Sequence, residues 1–257
     1  VSLFWFTNPP DAGVKRHHSE LEWRRHFVRE LEFREVNVVL DVGANSGQYA
    51  KGLREAGYEG RIVSLEPLSM PFSILERSVA LDPSWDCRQC ALGDRDGVVS
   101  MNVAGNAGQS SSILPMLKTH RDVLPAANYV GTEEVTVRRL DSLTPGLLAP
   151  KDVAFLKLDV QGFEKQVIGG GAATVNDRCG GMQLELSFEP LYDGGMLADE
   201  ALDLVRSLGF TLTGFAPFFF DVRTGRLLQA DGVFFRGPAS DARPPRITRA
   251  PTAIEKD

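Results

Sequence analysis

Apolar residues recur along this chain in two rhythms. Over residues 19–33, SELEWRRHFVRELEF, Leu21, Phe27, Val28 and Leu31 keep helical spacing against a charged opposite face. That pattern predicts an amphipathic helix whose stripe enters the core. Residues 36–42 are an apolar run, the mark of a strand buried on both faces. A helix is predicted over 48–56, ended by Gly57. The alternation then repeats: strands over 61–66, 85–92, 154–159 and 182–186, with helices from Pro67 to about 80, from 163 to about 175, and over 197–208. Strand and helix taking turns implies an α/β fold, a mostly parallel sheet with helices on both faces.

Two stretches depart from the alternation. Residues 98–103 and 135–140 are β-rich insertions, and Asp94-Arg95-Asp96-Gly97 is a hairpin signal before the first. Between them lies a polar segment, 105–131, with a serine run and poor periodicity, read as a long functional or disordered loop. Near the end, residues 210–220 and 232–236 form strands without an intervening helix, so they must pair antiparallel. The organisation expected is an N-terminal helical segment (1–35), a main domain (36–236) carrying an insertion near 98–140, and a Pro- and charge-rich tail (237–257) of disordered composition.

Composition narrows the class. The chain has 257 residues, 43% hydrophobic and 24% charged, as in ordinary globular proteins. A net charge of -6 and a pI near 5.4 disfavour nucleic acid as a partner. Three cysteines argue against a disulfide framework and for a reducing, cytoplasmic setting. Cys87 and Cys90 lie in a predicted strand, where odd spacing puts their thiols on opposite faces, so zinc is not expected. No apolar run is long enough to span a membrane. The opening VSLFWF is too short for a signal peptide and lacks a basic region, which leaves packing against the body or a partner, homo-oligomerisation included.

The most informative stretch is VVLDVGANSG, residues 38–47, a strand running into a glycine turn. Its G-x-x-x-G spacing differs from the G-x-G-x-x-G that seats a pyrophosphate. Asp41 precedes the turn, where a carboxylate repels a phosphate and attracts an ammonium group. That favours S-adenosylmethionine, which carries an ammonium and a sulfonium and no phosphate. Glu66 closes the next strand, where an acid bonds ribose hydroxyls. Asp94 is a candidate for the adenine amino group, or simply a turn residue. An oxidoreductase using NAD(P) and a cofactor-binding module without catalysis are the competing classes.

Several short motifs occur in a particular order: LDVGANSG (40–47), Ser64-Leu65-Glu66-Pro67, Ala91-Leu92-Gly93-Asp94, Ser110-Ser111-Ser112, Leu140-Asp141-Ser142-Leu143, LKLDVQGFE (156–164) and Asp231-Gly232-Val233-Phe234. In this the chain resembles the FkbM family of S-adenosylmethionine-dependent methyltransferases, over roughly residues 36–236. The resemblance implies a Rossmann-like class I methyltransferase fold, with a seven-stranded sheet whose last strand is antiparallel. It also implies methylation of a hydroxyl on a sugar, glycolipid or other natural product. Gly43, Asn45, Gly47, Glu66, Pro67 and Ser111 then belong to the cofactor side, with Asp41 and Asp94.

On the acceptor side, methyl transfer to oxygen calls for alignment and for removal of a hydroxyl proton. Asp159 closes the fourth core strand and is the first candidate, with an N-cap as its structural alternative. Glu185 ends the fifth strand. A divalent metal between Asp159 and Glu185 is conceivable on donor chemistry and not favoured, because no spacing demands it. His120, in the long polar segment, is a candidate base or an exposed loop histidine. Glu164 reads as structural, stabilising a helix start.

Overall fold

The structure is a computed structural model that describes residues 20–237. Two expected features, the apolar opening VSLFWF and the tail from residue 238 on, lie outside the described residues. The described residues open with α1 (Glu20–Phe33), β1 (Val38–Val42), α2 (Gln48–Glu55), β2 (Arg61–Leu65), α3 (Ser69–Val79) and β3 (Trp85–Arg88). Next come β4 (Ala91–Leu92), β5 (Gly97–Ala104), α4 (Lys118–Val123) and β6 (Tyr129–Arg138). The last part holds α5 (Leu140–Leu147), β7 (Ala154–Leu158), α6 (Glu164–Gly170), α7 (Ala172–Arg178), β8 (Cys179–Ser187), α8 (Ala198–Ser207), β9 (Phe210–Asp221) and β10 (Arg226–Arg236).

Seven strands form one sheet in the order β3-β2-β1-β7-β8-β10-β9, and only β10 runs against its neighbours. This is the mostly parallel α/β sheet expected from the alternating pattern, and its seven strands with one antiparallel are what the resemblance to the methyltransferase family implies. Buried side chains on one face, among them Phe27, Leu31, Leu53 and Leu75, bring α1, α2 and α3 onto the sheet. Phe155 anchors that core, its ring centroid 5.0 Å from Phe27 and 5.4 Å from Phe235. On the other face Leu40, Leu156 and Leu184 pack beneath Leu140, Val167, Val175 and Val205 of α5–α8. Both faces are covered, which is why these strands are nearly all apolar.

The order reverses between β1 and β7, since β1 leads outward to β2 while β7 starts the other half. In open α/β sheets the crevice at the strands' carboxyl ends, beside such a reversal, receives ligands.

Four local expectations are corrected. The strand expected over 85–92 breaks at Gln89 and Cys90, and its two halves join different sheets. The turn at residues 94–97 is no hairpin, because β4 and β5 lie on either side of β6 rather than against each other. Asp96 Oδ1 accepts the Arg139 N–H at 2.6 Å and ties that turn to the end of β6. The helix from residue 163 is two helices meeting at Gly171. The segment 105–131 is no open loop: it holds α4, a 3₁₀ turn at Pro125–Ala127 and a bridge from Ser112 to Asn102. Its serines and His120 are buried, so it packs through polar groups that periodicity does not register.

Candidate active site

The β1 turn is built from left-handed residues: Gly43 at φ 75°, Asn45 at 47° and Gly47 at 83°. Gly43 is required twice over. Besides its positive φ, a Cβ there would lie 1.9 Å from the backbone oxygen of Asp159. The turns after β1 and β7 therefore touch backbone to backbone. The N–H groups of Gly43 and Ala44 both donate to Leu65 O, at 3.0 and 3.1 Å, which binds the turn to the end of β2.

Glu66 clamps the same corner. Its carboxylate accepts the Asn45 N–H at 2.8 Å and the Leu68 N–H at 2.9 Å. Burial pushes its pKa up to about 7, against the pull of those two donors. A cavity opens above, with Gly43, Asn45, Glu66 and Pro67 on one side and Asp159, Val160 and Gln161 on another. Ala91, Leu92, Met101 and Ile113 supply an apolar wall, and Gly108, Gln109 and Ser111 close it from the insertion.

Six sequence-predicted residues thus share one cavity: Gly43, Asn45, Glu66, Pro67, Ser111 and Asp159. Five others sit elsewhere. Gly47 caps α2, and the space a Cβ would need there is filled by Trp85. Asp94 is exposed in the turn after β4, away from the cavity wall. The expected direct contact between Asp41 and the ammonium group of a cofactor is not what the fold offers. Asp41 is wholly buried behind the turn, accepts the Ser64 hydroxyl at 3.1 Å and pairs with Lys157 Nζ at 3.2 Å.

His120 is neither exposed nor at the cavity. It is 2% exposed, edge-on to Tyr192 and beside Phe219, and burial lowers its pKa to about 4. Glu185 lies one strand over from Asp159, off the cavity wall but joined to it through Gln161. Asp159 is no N-cap, since Phe163 holds that position and no side chain caps α6. Glu164 instead reaches back to accept the N–H groups of Val160 and Gly162, both at 3.2 Å. Burial raises its pKa to about 7.

Four functional side chains escaped the sequence reading. Lys157 is the only buried lysine or arginine among the described residues. It stands in register with Asp41 on one side and Gln183 on the other. Its ammonium contacts Asp41, Asp159 at 3.3 Å and the Gly43 carbonyl at 3.2 Å. Burial opposes its charge, but Asp159 and Asp41 outweigh that and raise its pKa. A charged residue inside a doubly buried strand was the available signal. Asp231 of β10 stands opposite Glu185. Burial, then Asp159, raise its pKa to about 7, while burial, Asp159 and Asp231 push Glu185 well above the carboxylate range. Gln161 and Tyr192 had no signal of their own, because only the folded chain brings them to these acids.

Acids outnumber cations here, but burial favours the neutral forms of Glu66, Glu164, Glu185 and Asp231. A metal ion fits poorly. Among the described residues no three His, Cys, Asp or Glu side chains gather to hold one, and the amide nitrogen of Gln161 spans the gap between Asp159 and Glu185.

The chain is 25% identical over 202 residues to the 2-O-methyltransferase NoeI of Sinorhizobium fredii (strain NBRC 101917 / NGR234), covering 76% of this chain and 81% of that protein. It is 24% identical over 148 residues to Methyltransferase 1 of Beauveria bassiana (strain ARSEF 2860), covering 54% and 59%. Among solved structures it resembles the methyltransferase FkbM of Methylobacillus flagellatus KT, with a TM-score of 0.46 and 15% identity, over 78% of this chain and 44% of that one. Aeropyrum pernix fibrillarin, solved with bound S-adenosyl-L-methionine, matches with a TM-score of 0.45 and 11% identity, over 77% and 66%. The model of the methyltransferase FkbM domain matches residues 41–212, most of the sheet and the whole β1 turn, and the chain therefore belongs to the FkbM methyltransferase family.

Proposed function

We propose that this protein uses S-adenosylmethionine to methylate a hydroxyl oxygen of a sugar, glycolipid or similar natural product. The observation that carries the proposal is the single cavity joining Glu66 to Asp159 across the glycine turn. Glu66 suits a ribose diol as hydrogen-bond acceptor. Leu92, Met101 and Ile113 suit the face of a purine. Asp159 presents a carboxylate, its side chain 34% exposed, to a cationic amino acid group or to the acceptor. Asp41 acts through Lys157, which holds both Asp159 and the Gly43 carbonyl. When bound, the cofactor supplies an electrophilic methyl on a sulfonium centre. The residues align the acceptor hydroxyl, exclude water and receive its proton on a carboxylate, for which Asp159 at the cavity wall is the first candidate and Glu185, reached across Gln161, the second. The name of the Sinorhizobium relative, a 2-O-methyltransferase, supports oxygen as the atom modified.

Two measurements test this. Calorimetric titration should show binding of S-adenosylhomocysteine and none of NAD. Incubation with methyl-labelled cofactor and a panel of sugars and glycolipids should transfer label to at least one hydroxyl. Binding of NAD alone, or tight binding of S-adenosylhomocysteine with no transfer to any hydroxylated acceptor, would refute the proposal.

A further inference from the structure

Asp159 lies one position beyond β7, and Glu185 lies near the end of the neighbouring strand β8. Left alone, two such carboxylates repel and turn apart. The Gln161 side chain stands between them. Its Nε2 donates to Asp159 Oδ1 at 2.7 Å and to Glu185 Oε2 at 2.9 Å, so both amide hydrogens are used. Its Oε1 accepts the Tyr192 hydroxyl at 2.6 Å. The amide orientation follows from its partners, because the flipped group would set its oxygen against both acids.

The backbone of Gln161 is held as firmly. It sits at φ 54°, a left-handed conformation unfavourable for a residue with a Cβ. Glu164 bonds the N–H groups on either side, and Ser112 Oγ donates to the Gln161 carbonyl at 2.7 Å. Tyr192 O–H also lies 3.2 Å from Ser110 O. The buried serine run and Tyr192 therefore meet on one residue. A conformation of this cost survives only where its surroundings over-determine it, and such places cluster at active sites.

We infer that Gln161 is a positioning residue: its carboxamide holds Asp159 and Glu185 at a fixed separation and orientation beside the cavity, and ties them to the Ser110–Ser112 segment. The inference rests on the reading of these two acids as the acceptor side. Other charged or titratable groups face the pair as well. Lys157 comes from β7, Asp231 from β10, Glu164 from α6, and Tyr192 from the segment after β8. Gln229 Nε2 donates a second, longer bond to Glu185, at 3.3 Å. Gln161 is the neutral group that touches both acids at once.

Two variants test the inference. Gln161→Gly removes the carboxamide, while glycine accepts the left-handed backbone without strain, so the fold is kept. Gln161→Glu keeps the length and replaces two donors by an acid. Carbon-13 carboxyl titrations in cofactor-free protein, with Asp159→Asn and Glu185→Gln for assignment, read the two acids directly. In Gln161→Gly the titration midpoint of at least one acid should rise by about one pH unit, the tenfold change expected from losing a charge-assisted hydrogen bond. Its kcat should fall at least tenfold. The activity of Gln161→Glu should recover as pH falls, because the introduced carboxyl group, once protonated, can again donate. Unchanged midpoints in the glycine variant would overturn the inference, even if its melting temperature or activity dropped. So would a wild-type pH profile in Gln161→Glu. If the wild-type protein transferred no methyl group at all, the proposed function would fail, yet the titrations would still decide the role of Gln161.

Discussion

Lys157→Met is the sharpest perturbation of this fold. Lys157 and Asp41 have side chains 6% and 0% exposed, 3.2 Å apart. At an effective dielectric near 20, their attraction is about 5 kcal/mol before the cost of removing both from water. Methionine preserves most of the chain's bulk and strands Asp41 with only the Ser64 hydroxyl. Removing one partner of a buried pair typically costs ~3–5 kcal/mol, because the other charge stays uncompensated. Asp159 suffers less, since a third of its side chain already meets solvent. The measurement is urea unfolding at pH 7.5, followed by tryptophan fluorescence. Trp85 Nε1 donates to Ser64 Oγ at 2.9 Å, so that indole reports on the same network. Asp41→Asn should also destabilise, by leaving Lys157 with one carboxylate fewer. The double variant should lose less than the sum of the singles by about 2 kcal/mol, because it buries no orphaned charge at position 41. Additive losses, equal within about 0.5 kcal/mol, would refute the claim that this pair acts as a unit.

Other consequences are as direct. Gly43→Ala should lower stability by at least ~2 kcal/mol in a denaturant melt, since its Cβ would meet the Asp159 carbonyl at 1.9 Å and both parties are backbone; a wild-type melt would refute the close approach. Glu164 has its pKa raised from 4.5 to about 7 by burial, so its share of stability is full below about 4.5 and is lost as pH rises through about 7. Glu164→Gln should remove that part of the loss, on the order of 3 kcal/mol, and melt higher than wild type at pH 8; an unchanged pH slope between 5 and 8 would count against it. His120 has its pKa lowered from 6.5 to about 4, so its share is present above 6.5 and is lost as pH falls toward 4. His120→Phe, placed between Tyr192 and Phe219, should hold its stability better than wild type in that window and keep methyl transfer; loss of transfer would restore His120 as a base.

The proposed cofactor side was more legible than the proposed acceptor side. Residues 38–47 and 61–67 are contiguous pieces of chain, and strand, glycine turn and acid appear in them in the order the folded corner uses. Gly43, Asn45, Glu66 and Pro67 could be picked from them directly, and all four line the cavity. The proposed acceptor side draws on β7, β8, β10 and the insertion, so its parts are distant in sequence. Gln161 meets Glu185 across 24 positions and Tyr192 across 31. No local pattern announces such a meeting. His120 was misplaced for a related reason: a polar segment without periodicity looks solvated, whereas Met116, Ala127, Leu191 and Tyr192 form a small core around it.

By itself, the amino-acid sequence determined the alternation of strands and helices, the mostly parallel sheet with antiparallel closing strands, and the acidic glycine turn. These depend on spacing between near neighbours, which a linear chain displays in full. Only the tertiary structure decided which acids meet the cavity and which are neutralised behind it. Asp41 and Asp159 look alike as strand-end carboxylates. Asp41, the fourth residue of β1, points into the interior toward Lys157, while Asp159, one position beyond β7, reaches the cavity. Burial and pairing are set by neighbours in space, and those neighbours exist only after the sheet has closed.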